Sequence, residues 1–267
     1  LENFEKNKNE VRTAIRLATS YPEIVKVIAI GNESMVHWAT SYFVHPEVVL
    51  RWVNLVQSIK SKGKLSKDLW VTSSDNFASW GGADSSYRDA SLLELIDAVD
   101  YVSMHTYPFH DTYYNGEFWI QPDSNAVLNK KSQIDFGMAR AIEHAQSQYS
   151  SVKSFLQESR IKKPIHIGET GWATISTDNY GHNGTNAADE YMQRAYYLGM
   201  KNWADSIGVS CFFFEAFDEP WKDAKNTSGS ENHFGWIDIE GKAKCILWDQ
   251  IDQGKLNGLK RNNIEIT

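Results

Sequence analysis

Cysteine is scarce in this sequence, since only Cys211 and Cys245 occur among its 267 residues. They form no CxxC pair and lack the spacing of metal ligands, and a chain of this length can bury a large core without a disulfide framework. Cys211 opens an apolar run, which predicts an inert buried thiol there. Cysteine usage therefore leaves the cellular compartment open.

Long apolar runs are also absent. The longest, such as VIAI and CFFF, have the length of a strand, whereas a helix needs about 20 apolar residues to cross a bilayer. The chain opens on Leu1 without the basic and apolar segments of a signal peptide, which we interpret as a leader already removed. We expect no membrane span.

Basic clusters and the common nucleotide and metal motifs are missing as well. The formal net charge is −7, and no run of Lys and Arg with interleaved aromatics offers a surface for phosphates, so no nucleic-acid partner is expected. Neither GxGxxG nor GxxxxGKS/T follows a predicted strand, and GxSxG and HExxH do not occur. We expect no cofactor and no metal.

Aromatic residues, by contrast, are abundant, at 13% of the chain with 10 Trp, 12 Tyr and 12 Phe. Seven of them stand within three residues of Gly, Pro, Asn or Asp and away from the longest apolar runs: Trp80, Tyr107, Phe109, Trp119, Trp172, Trp221 and Trp236. Flat rings of this kind stack on the C–H faces of sugars. A single loop aromatic more often covers the edge of a core, but seven together favour a sugar-binding groove.

Apolar strand-like runs alternate along the chain with stretches of helical periodicity. Five strands are predicted, centred near Ile28, Val71, Val102, Ile167 and Phe213. Alternation of this kind indicates βα units around a parallel sheet, and the loops after the strands are richer in polar and aromatic residues than the loops before them. A doubly wound nucleotide-binding sheet also alternates, but it needs the glycine motifs that are absent here. The predicted fold class is therefore an α/β barrel.

The same patterns set the expected element boundaries. Helices are predicted over 5–20, 46–63, 90–99, 134–149, 186–206 and 242–252, the last strand over 209–220, and an elaborated loop over 108–132.

Two of the predicted strands end in an acidic residue, within VIAIGNESM at 27–35 and PIHIGETGW at 164–172. A lone carboxylate at such a place is more often a structural group paired with Arg or Lys. Glu33 and Glu169, however, form a pair, and each follows a Gly that lets substrate or backbone approach. Two carboxyls in different environments can protonate a leaving oxygen and attack a sugar carbon, so acetal hydrolysis is the predicted chemistry.

Several motifs occur in the order found in a known family. GNE, TYPF, GETGW, FFFEAFDEPWK and ENHFGW resemble the signatures of glycoside hydrolase family 17, the retaining β-1,3-glucanases and β-1,3-glucan transferases built on a (β/α)8 TIM barrel. GNE alone is shared by several barrel glycosidases, whereas the ordered set is specific. The resemblance runs from about residue 24 to about residue 248.

The resemblance also implies roles for individual residues. It assigns Glu33 as general acid/base and Glu169 as nucleophile, with the substrate-binding set Asn32, Tyr107, Phe109, Trp172, Glu219, Lys222 and Phe234. The two carboxyls are then expected about 5 to 5.5 Å apart, as a covalent glycosyl-enzyme intermediate requires.

The implied activity is that of a retaining endo-β-1,3-glucan hydrolase, with β-1,3-glucan as partner. A β-1,3-glucanosyltransferase is the alternative, because both share the glycosyl-enzyme intermediate, and a catalytically silent glucan-binding protein is a further one. The expected protein is a monomer that is secreted, periplasmic or at the cell surface.

The sequence departs from the family in three places. Its five strands correspond to strands 4 to 8, so the chain is expected to carry the C-terminal five βα units of a single catalytic barrel domain over 1–267, with a polar tail from about residue 250 and the first three strands elsewhere. Ala173 stands where Pro is commoner after GETGW. The segments 108–132 and 178–186 are expected to lengthen or block one end of the groove.

Overall fold

The structure of the chain, a computed structural model, describes residues 3–111, 128–176 and 187–267. Trp119, much of the predicted 108–132 loop and the 178–186 segment lie outside these described residues. None of the helices in the described part of the chain combines the length and apolarity needed to span a membrane.

Helices and strands alternate as the sequence predicts. In chain order they are α1 (Phe4–Ser20), β1 (Val27–Asn32), α2 (Pro46–Ser61), β2 (Trp70–Asn76), α3 (Ala90–Ala98), β3 (Val102–His105), α4 (Pro108–Asp111), α5 (Lys130–Glu158), β4 (Ile165–Gly171), α6 (Glu190–Ile207), β5 (Cys211–Phe214), α7 (Trp248–Asp252), β6 (Lys260–Arg261) and β7 (Ile264–Glu265).

Strands β1 to β5 form one parallel sheet in the order of the sequence. All five predicted strands are therefore confirmed, and the fold is α/β, consistent with part of a TIM-barrel-like architecture. The short β6 and β7 pair with each other in antiparallel fashion.

Local sequence explains where the helices begin and end. Pro46 occupies the start of α2, where a missing N–H costs nothing, and Val49, Val53 and Val56 form its buried face. Asp189 caps α6 by accepting hydrogen bonds from the N–H groups of the first turn, and Gly208 ends that helix in the left-handed conformation.

Helix α5 is longer than predicted. It starts at Lys130 and ends at Glu158, whereas the sequence pattern predicted 134–149. Beyond the predicted end, Val152, Phe155 and Leu156 continue the helical spacing and are buried. Burial of this apolar face stabilises the additional turns.

The last strand is shorter than predicted. β5 ends at Phe214 and not at residue 220, because the following backbone bonds to a later loop. The Glu215 N–H donates to Phe234 O, and the Asp218 N–H donates to Ile237 O. The peptide groups that the sequence pattern assigned to the sheet are satisfied within this loop instead.

The predicted closing helix over 242–252 is largely wrong. Only Trp248–Asp252 is α-helical, after a 3₁₀ turn at Cys245–Leu247. The N–H of Ala243 donates to Thr267 O, which ties this segment to the end of the chain. The tail after residue 250 is polar in sequence but contains the β6–β7 hairpin, followed by the buried Ile266.

The chain divides into two compact units, and the boundary falls within α5 and β4. The first unit comprises residues 1–106 and 147–169, and the second comprises 107–146 and 170–267. The core of the first unit is aliphatic, with Val53, Val56, Val71, Leu92, Leu95, Ile96 and Val102 fully buried. The core of the second is aromatic, with Phe109, Trp172, Tyr196 and Phe234 in one cluster.

Candidate active site

Glu33 follows directly on β1 in an unusual backbone conformation. Its φ is +47°, in the left-handed region that residues with a Cβ seldom adopt. The Glu33 N–H donates to Ser74 O at 2.9 Å, which holds this conformation against the neighbouring strand β2. Left-handed non-glycine residues concentrate at functional sites, so this backbone geometry marks Glu33 independently of its motif.

Glu169 lies within β4 of the same unit, in register with His105 of β3. Its side chain is 26% exposed, and that of Glu33 is 37% exposed. Both carboxyl groups therefore combine a partly buried setting with access to solvent, as a group that acts on a bound substrate requires.

His105 connects the two carboxyl groups. The imidazole is fully buried, and its Nδ1 lies 3.0 Å from Glu33 Oε1. Its Nε2 lies 2.6 Å from Ser74 Oγ and 3.9 Å from Glu169 Oε2. The two predicted catalytic glutamates are thus brought to the two nitrogens of one ring, within the first unit.

A short chain of hydroxyl groups continues from the imidazole. Ser74 Oγ lies 2.8 Å from Ser103 Oγ, on the adjacent strand. A Cβ on Gly168 would come within 2.6 Å of Ser74 Oγ and would also collide with the Ser103 hydroxyl. The glycine before Glu169 therefore makes room for the hydroxyl groups that support His105, a reason for its presence that the motif alone did not reveal.

Asp75 anchors the backbone just after Glu33. Its buried carboxylate accepts hydrogen bonds from the N–H groups of Met35 and Asn76, both at 2.9 Å. Burial raises the pKa of Asp75 above its ordinary value, although these two N–H donors oppose the shift. The backbone at Glu33 and just after it is therefore attached to β2 at two points, by the Glu33 N–H to Ser74 O and by the Met35 N–H to Asp75.

A second acidic group lies in the other unit, where β5 ends. Lys222 Nζ lies 3.6 Å from Glu215, 3.2 Å from Glu219 and 3.8 Å from the centre of the Phe214 ring. Within the described residues, Oε1 of Glu215 is buried without a hydrogen-bond partner. Glu219 and Lys222 thus form an ion pair, and Glu215 lies within 3.6 Å of the same ammonium group.

The pKa of Glu215 is raised to about 8, mainly by burial and in part by the nearby Glu219, while Lys222 opposes the shift. A carboxyl whose pKa is higher in the folded state than in the unfolded state stabilises the folded state when the carboxyl is protonated. Its contribution is complete below the ordinary value of 4.5 and is lost as the pH rises through about 8. Near neutral pH, Glu215 is therefore mainly protonated and can donate a hydrogen bond.

Replacing Glu215 by glutamine tests this state. Glu215→Gln keeps the shape of the neutral acid but does not titrate, so the wild type should lose stability relative to the variant as the pH rises from 5 to 9. Urea unfolding at intervals across that range measures the difference. If the free energies of unfolding of the two proteins change in parallel from pH 5 to 9, the pKa of Glu215 is not raised on folding and the carboxyl is already ionised at pH 5.

The predicted substrate-binding aromatics occupy two different settings. Phe109, Trp172 and Phe234 are at most 1% exposed and pack together, while Tyr107 is partly exposed with its ring 5.9 Å from that of Phe234. The Trp172 indole also donates to Ala187 O. The three buried rings support Tyr107 from beneath.

Asn32, another predicted substrate-binding residue, lies at the exposed end of β1. The other loop aromatics also divide into buried and exposed side chains. Trp80 is fully buried, and its indole N–H donates to Ser103 O, so its predicted place in an open groove is wrong. Trp221 is exposed, and Trp236 is partly buried. A tryptophan beside glycines can face the core as readily as the solvent, because local sequence does not set side-chain direction.

Sequence reasoning missed His105 and the two serines behind it. The only available signal was HTYP, in which a histidine ends a strand beside the TYPF motif.

In the described part of the chain, no group of three or more His, Cys, Asp or Glu side chains is arranged to hold a metal ion. The thiol of Cys211 is largely buried, which raises its pKa to about 12.

Two carboxyl groups near the strand ends of a parallel α/β sheet are the arrangement that two-carboxylate glycosidases on barrel folds use. The chain belongs to the family described as the BtgE/BtgC glycoside hydrolase domain, whose model matches residues 2–235. The predicted relationship to glycan-cleaving enzymes is confirmed by this match.

Solved and curated relatives agree with the family. A crystal structure of an endo-laminarinase from Formosa Hel1_33_131 is 54% identical, with a TM-score of 0.93, and the match covers 97% of this chain and 66% of that one. A glucan 1,3-beta-glucosidase of Arthroderma benhamiae is 26% identical, covering 90% of this chain and 67% of its own length. The family 17 β-1,3-glucanosyltransferase of Rhizomucor miehei, 15% identical with a TM-score of 0.55, covers 86% and 68% respectively and shares the fold. This chain thus spans about two thirds of the length of these relatives.

Proposed function

We propose that the protein hydrolyses internal β-1,3 linkages of glucans and retains the configuration of the anomeric carbon. The observation that carries the proposed reaction is the contact of Glu33 and Glu169 with the two nitrogens of His105. The substrate class is supported by the endo-laminarinase relative, which is 54% identical over nearly the whole chain. In this proposal, residues 1–267 act as one catalytic domain that carries barrel strands 4 to 8.

The first step forms a covalent intermediate. The Glu169 carboxylate attacks the anomeric carbon as the glycosidic C–O bond breaks, and Glu33 gives its proton to the departing oxygen. Water then attacks the same carbon, its proton passes to Glu33, and the Glu169 ester bond breaks. Both steps need the two carboxyls about 5 to 5.5 Å apart.

The contact with His105 suits the proposed role of Glu33, which acts as an acid in the first step and as a base in the second. When Glu33 is ionised, Nδ1–H can donate a hydrogen bond to its carboxylate, and Nε2 can accept a hydrogen bond from the Ser74 hydroxyl. When Glu33 is protonated, the other tautomer of the ring can accept a hydrogen bond from Glu33 at Nδ1 and donate one from Nε2–H to Ser74 Oγ. The imidazole can therefore hold Glu33 in place through both protonation states of that carboxyl.

We propose that the remaining predicted residues take part in substrate binding. Asn32 holds a sugar hydroxyl near the scissile bond, and Tyr107 contacts substrate while Phe109, Trp172 and Phe234 fix its position. Glu219 and Lys222 supply polar contacts. We further propose a monomeric protein that is secreted, periplasmic or at the cell surface, because a polysaccharide does not cross a membrane unaided.

Following the products by proton NMR tests the mechanism. A laminari-oligosaccharide should first release the β-anomer at the new reducing end, because two successive inversions restore the original configuration. The α-anomer appearing first would show a single displacement and would rule out Glu169 as nucleophile. As a control, the rate at which laminaribiose equilibrates between its α- and β-anomers is measured under the same conditions. The first product spectra must be recorded before this equilibration is significant.

Product length separates hydrolysis from transfer. A digest of soluble laminarin analysed by mass spectrometry should contain only oligosaccharides shorter than the substrate, because water takes up the glycosyl group. Products longer than an oligosaccharide substrate would show that a sugar hydroxyl competes with water, as in a glucanosyltransferase. No change in either substrate would indicate a protein that binds glucan without cleaving it.

A further inference from the structure

The loop between β1 and α2 has a closed and well-supported backbone. We call residues 34–44 the Trp38 loop. Its ends are joined by a hydrogen bond from the Val44 N–H to Ser34 O at 2.8 Å. Two turns lie inside it, in which the N–H groups of Ala39 and Tyr42 donate to Val36 O and Ala39 O at 3.1 and 3.0 Å.

Side chains on either side of Trp38 fasten the loop to the first unit. Met35, Val36 and Ala39 are buried. The His37 ring stacks on Tyr87 with 3.7 Å between the ring centres, and the His37 N–H donates to the Tyr87 hydroxyl at 3.0 Å. A loop held at this many points keeps one conformation before any ligand arrives.

The Trp38 indole, by contrast, projects into solvent. It is 63% exposed, and within the described residues it makes no ring contact and no side-chain hydrogen bond. One exposed aromatic residue is common on protein surfaces and needs no explanation. Here the exposed ring is attached to a backbone whose neighbouring residues are buried, so the point of attachment is fixed and the flat ring can turn only about its two side-chain torsions.

The Trp38 loop lies beside the candidate catalytic centre. It begins at the residue after Glu33, and five residues of extended chain span at most about 18 Å. Since the loop leaves the carboxyl end of β1, it begins on the side of the sheet where Glu33 lies. A sugar chain with one linkage at Glu33 can therefore reach Trp38 with another of its rings.

The composition of the loop also indicates the chemical class of the ligand. Residues 34–44 contain no Asp, Glu, Lys or Arg. A surface without formal charge and with an exposed indole suits an uncharged ligand with apolar C–H faces, and it offers nothing to a phosphate or an acidic peptide. Neutral hexose rings meet both conditions.

We propose that Trp38 is a stacking platform for a glucosyl ring of the bound glucan, away from the linkage that is cleaved, and that it thereby sets the preferred chain length. This inference rests on the proposed function, because it takes Glu33 as the position of the scissile bond. It adds a substrate contact outside the predicted site residues.

The test compares substrates of increasing length. For laminari-oligosaccharides of three to eight units, kcat/KM of the wild type should rise at the length that first reaches Trp38. Trp38→Ala should remove that rise, lowering kcat/KM for the longer substrates about 3- to 10-fold while leaving the shortest cleaved substrate unchanged. Trp38→Phe should restore part of the difference, because it keeps a flat ring.

Tyr21→Ala provides the matched control. Tyr21 is 53% exposed in the same unit but lies before β1, at the opposite end of the strand from Glu33. It should leave the whole length series unchanged. An equal loss at every length in Trp38→Ala would indicate a structural role for the loop, and no loss at any length would show that the ring does not contact substrate; either result overturns the proposal.

Calorimetric binding separates this inference from the proposed function. Laminarihexaose is titrated into Glu169→Ala with and without Trp38→Ala, and binding should weaken in the double variant. If the wild type cleaves nothing but binding still depends on Trp38, the proposed function fails and the platform stands. If cleavage occurs and both variants bind equally, the platform fails alone.

Discussion

Glu169→Ala should abolish turnover of laminarin, with kcat lowered by about 10⁴-fold or more. The variant has no oxygen that can bond to the anomeric carbon, so the covalent route is closed. Initial rates of reducing-end release measure the loss. Glu94→Ala, which removes an exposed carboxylate from α3 of the same unit, is the control and should keep full activity.

Glu33→Ala should behave differently, and this difference assigns the two roles. With a dinitrophenyl glycoside, whose leaving group needs no proton, the intermediate should still form and accumulate because no base activates water. Azide attacks without base assistance, so it should restore turnover and yield the β-glycosyl azide. A β-azide product from Glu169→Ala would reverse the two assignments.

His105→Gln should lower kcat for laminarin by about 100-fold with little change in KM. His105 is a positioning residue, since it acts through Glu33, and a carboxyl displaced by about 1 Å loses roughly this factor. Its Nδ1 is 3.0 Å from Glu33 Oε1, and Ser74 holds the opposite nitrogen at 2.6 Å. Loss of the imidazole removes this fixed contact and leaves the buried Ser74 hydroxyl with Ser103 Oγ, 2.8 Å away, as its remaining hydrogen-bond partner.

Two substrates distinguish positioning from general damage to the fold. If His105 orients the acid, the loss for a dinitrophenyl glycoside should be much smaller in the bond-cleaving step than the loss for laminarin, because that step no longer needs Glu33. Disruption of the whole site would lower both rates equally. His166→Gln, at a partly buried histidine on β4 that contacts the Trp70 and Tyr101 rings, should leave the ratio of the two rates unchanged.

The positions of the main elements could be predicted from the sequence because their signals are local. The apolar runs around Ile28 and Ile167 fix strands β1 and β4, and the polar residue at each carboxyl end follows directly in the chain. The prediction of Glu33 and Glu169 as the catalytic pair rests on these local signals. Their motifs also identified the family, which a match over residues 2–235 confirms.

Long elements and irregular ends were predicted less well. Helix α5 extends to Glu158 because residues around Phe155 are buried, and β5 stops at Phe214 because the next peptides bond to the loop containing Phe234. Both outcomes depend on what lies opposite a segment in space. A pattern within the segment cannot contain that information.

The sequence by itself determined which residues carry the predicted chemistry, since two glutamates after apolar strands are visible without any partner. Only the tertiary structure decided that His105 lies between them. Adjacent parallel strands bring Ser74, His105 and Glu169 together although 95 positions separate the first from the last. The burial of Trp80 was decided in the same way, because the direction of a loop side chain depends on neighbours distant in the chain and not on the adjacent residues.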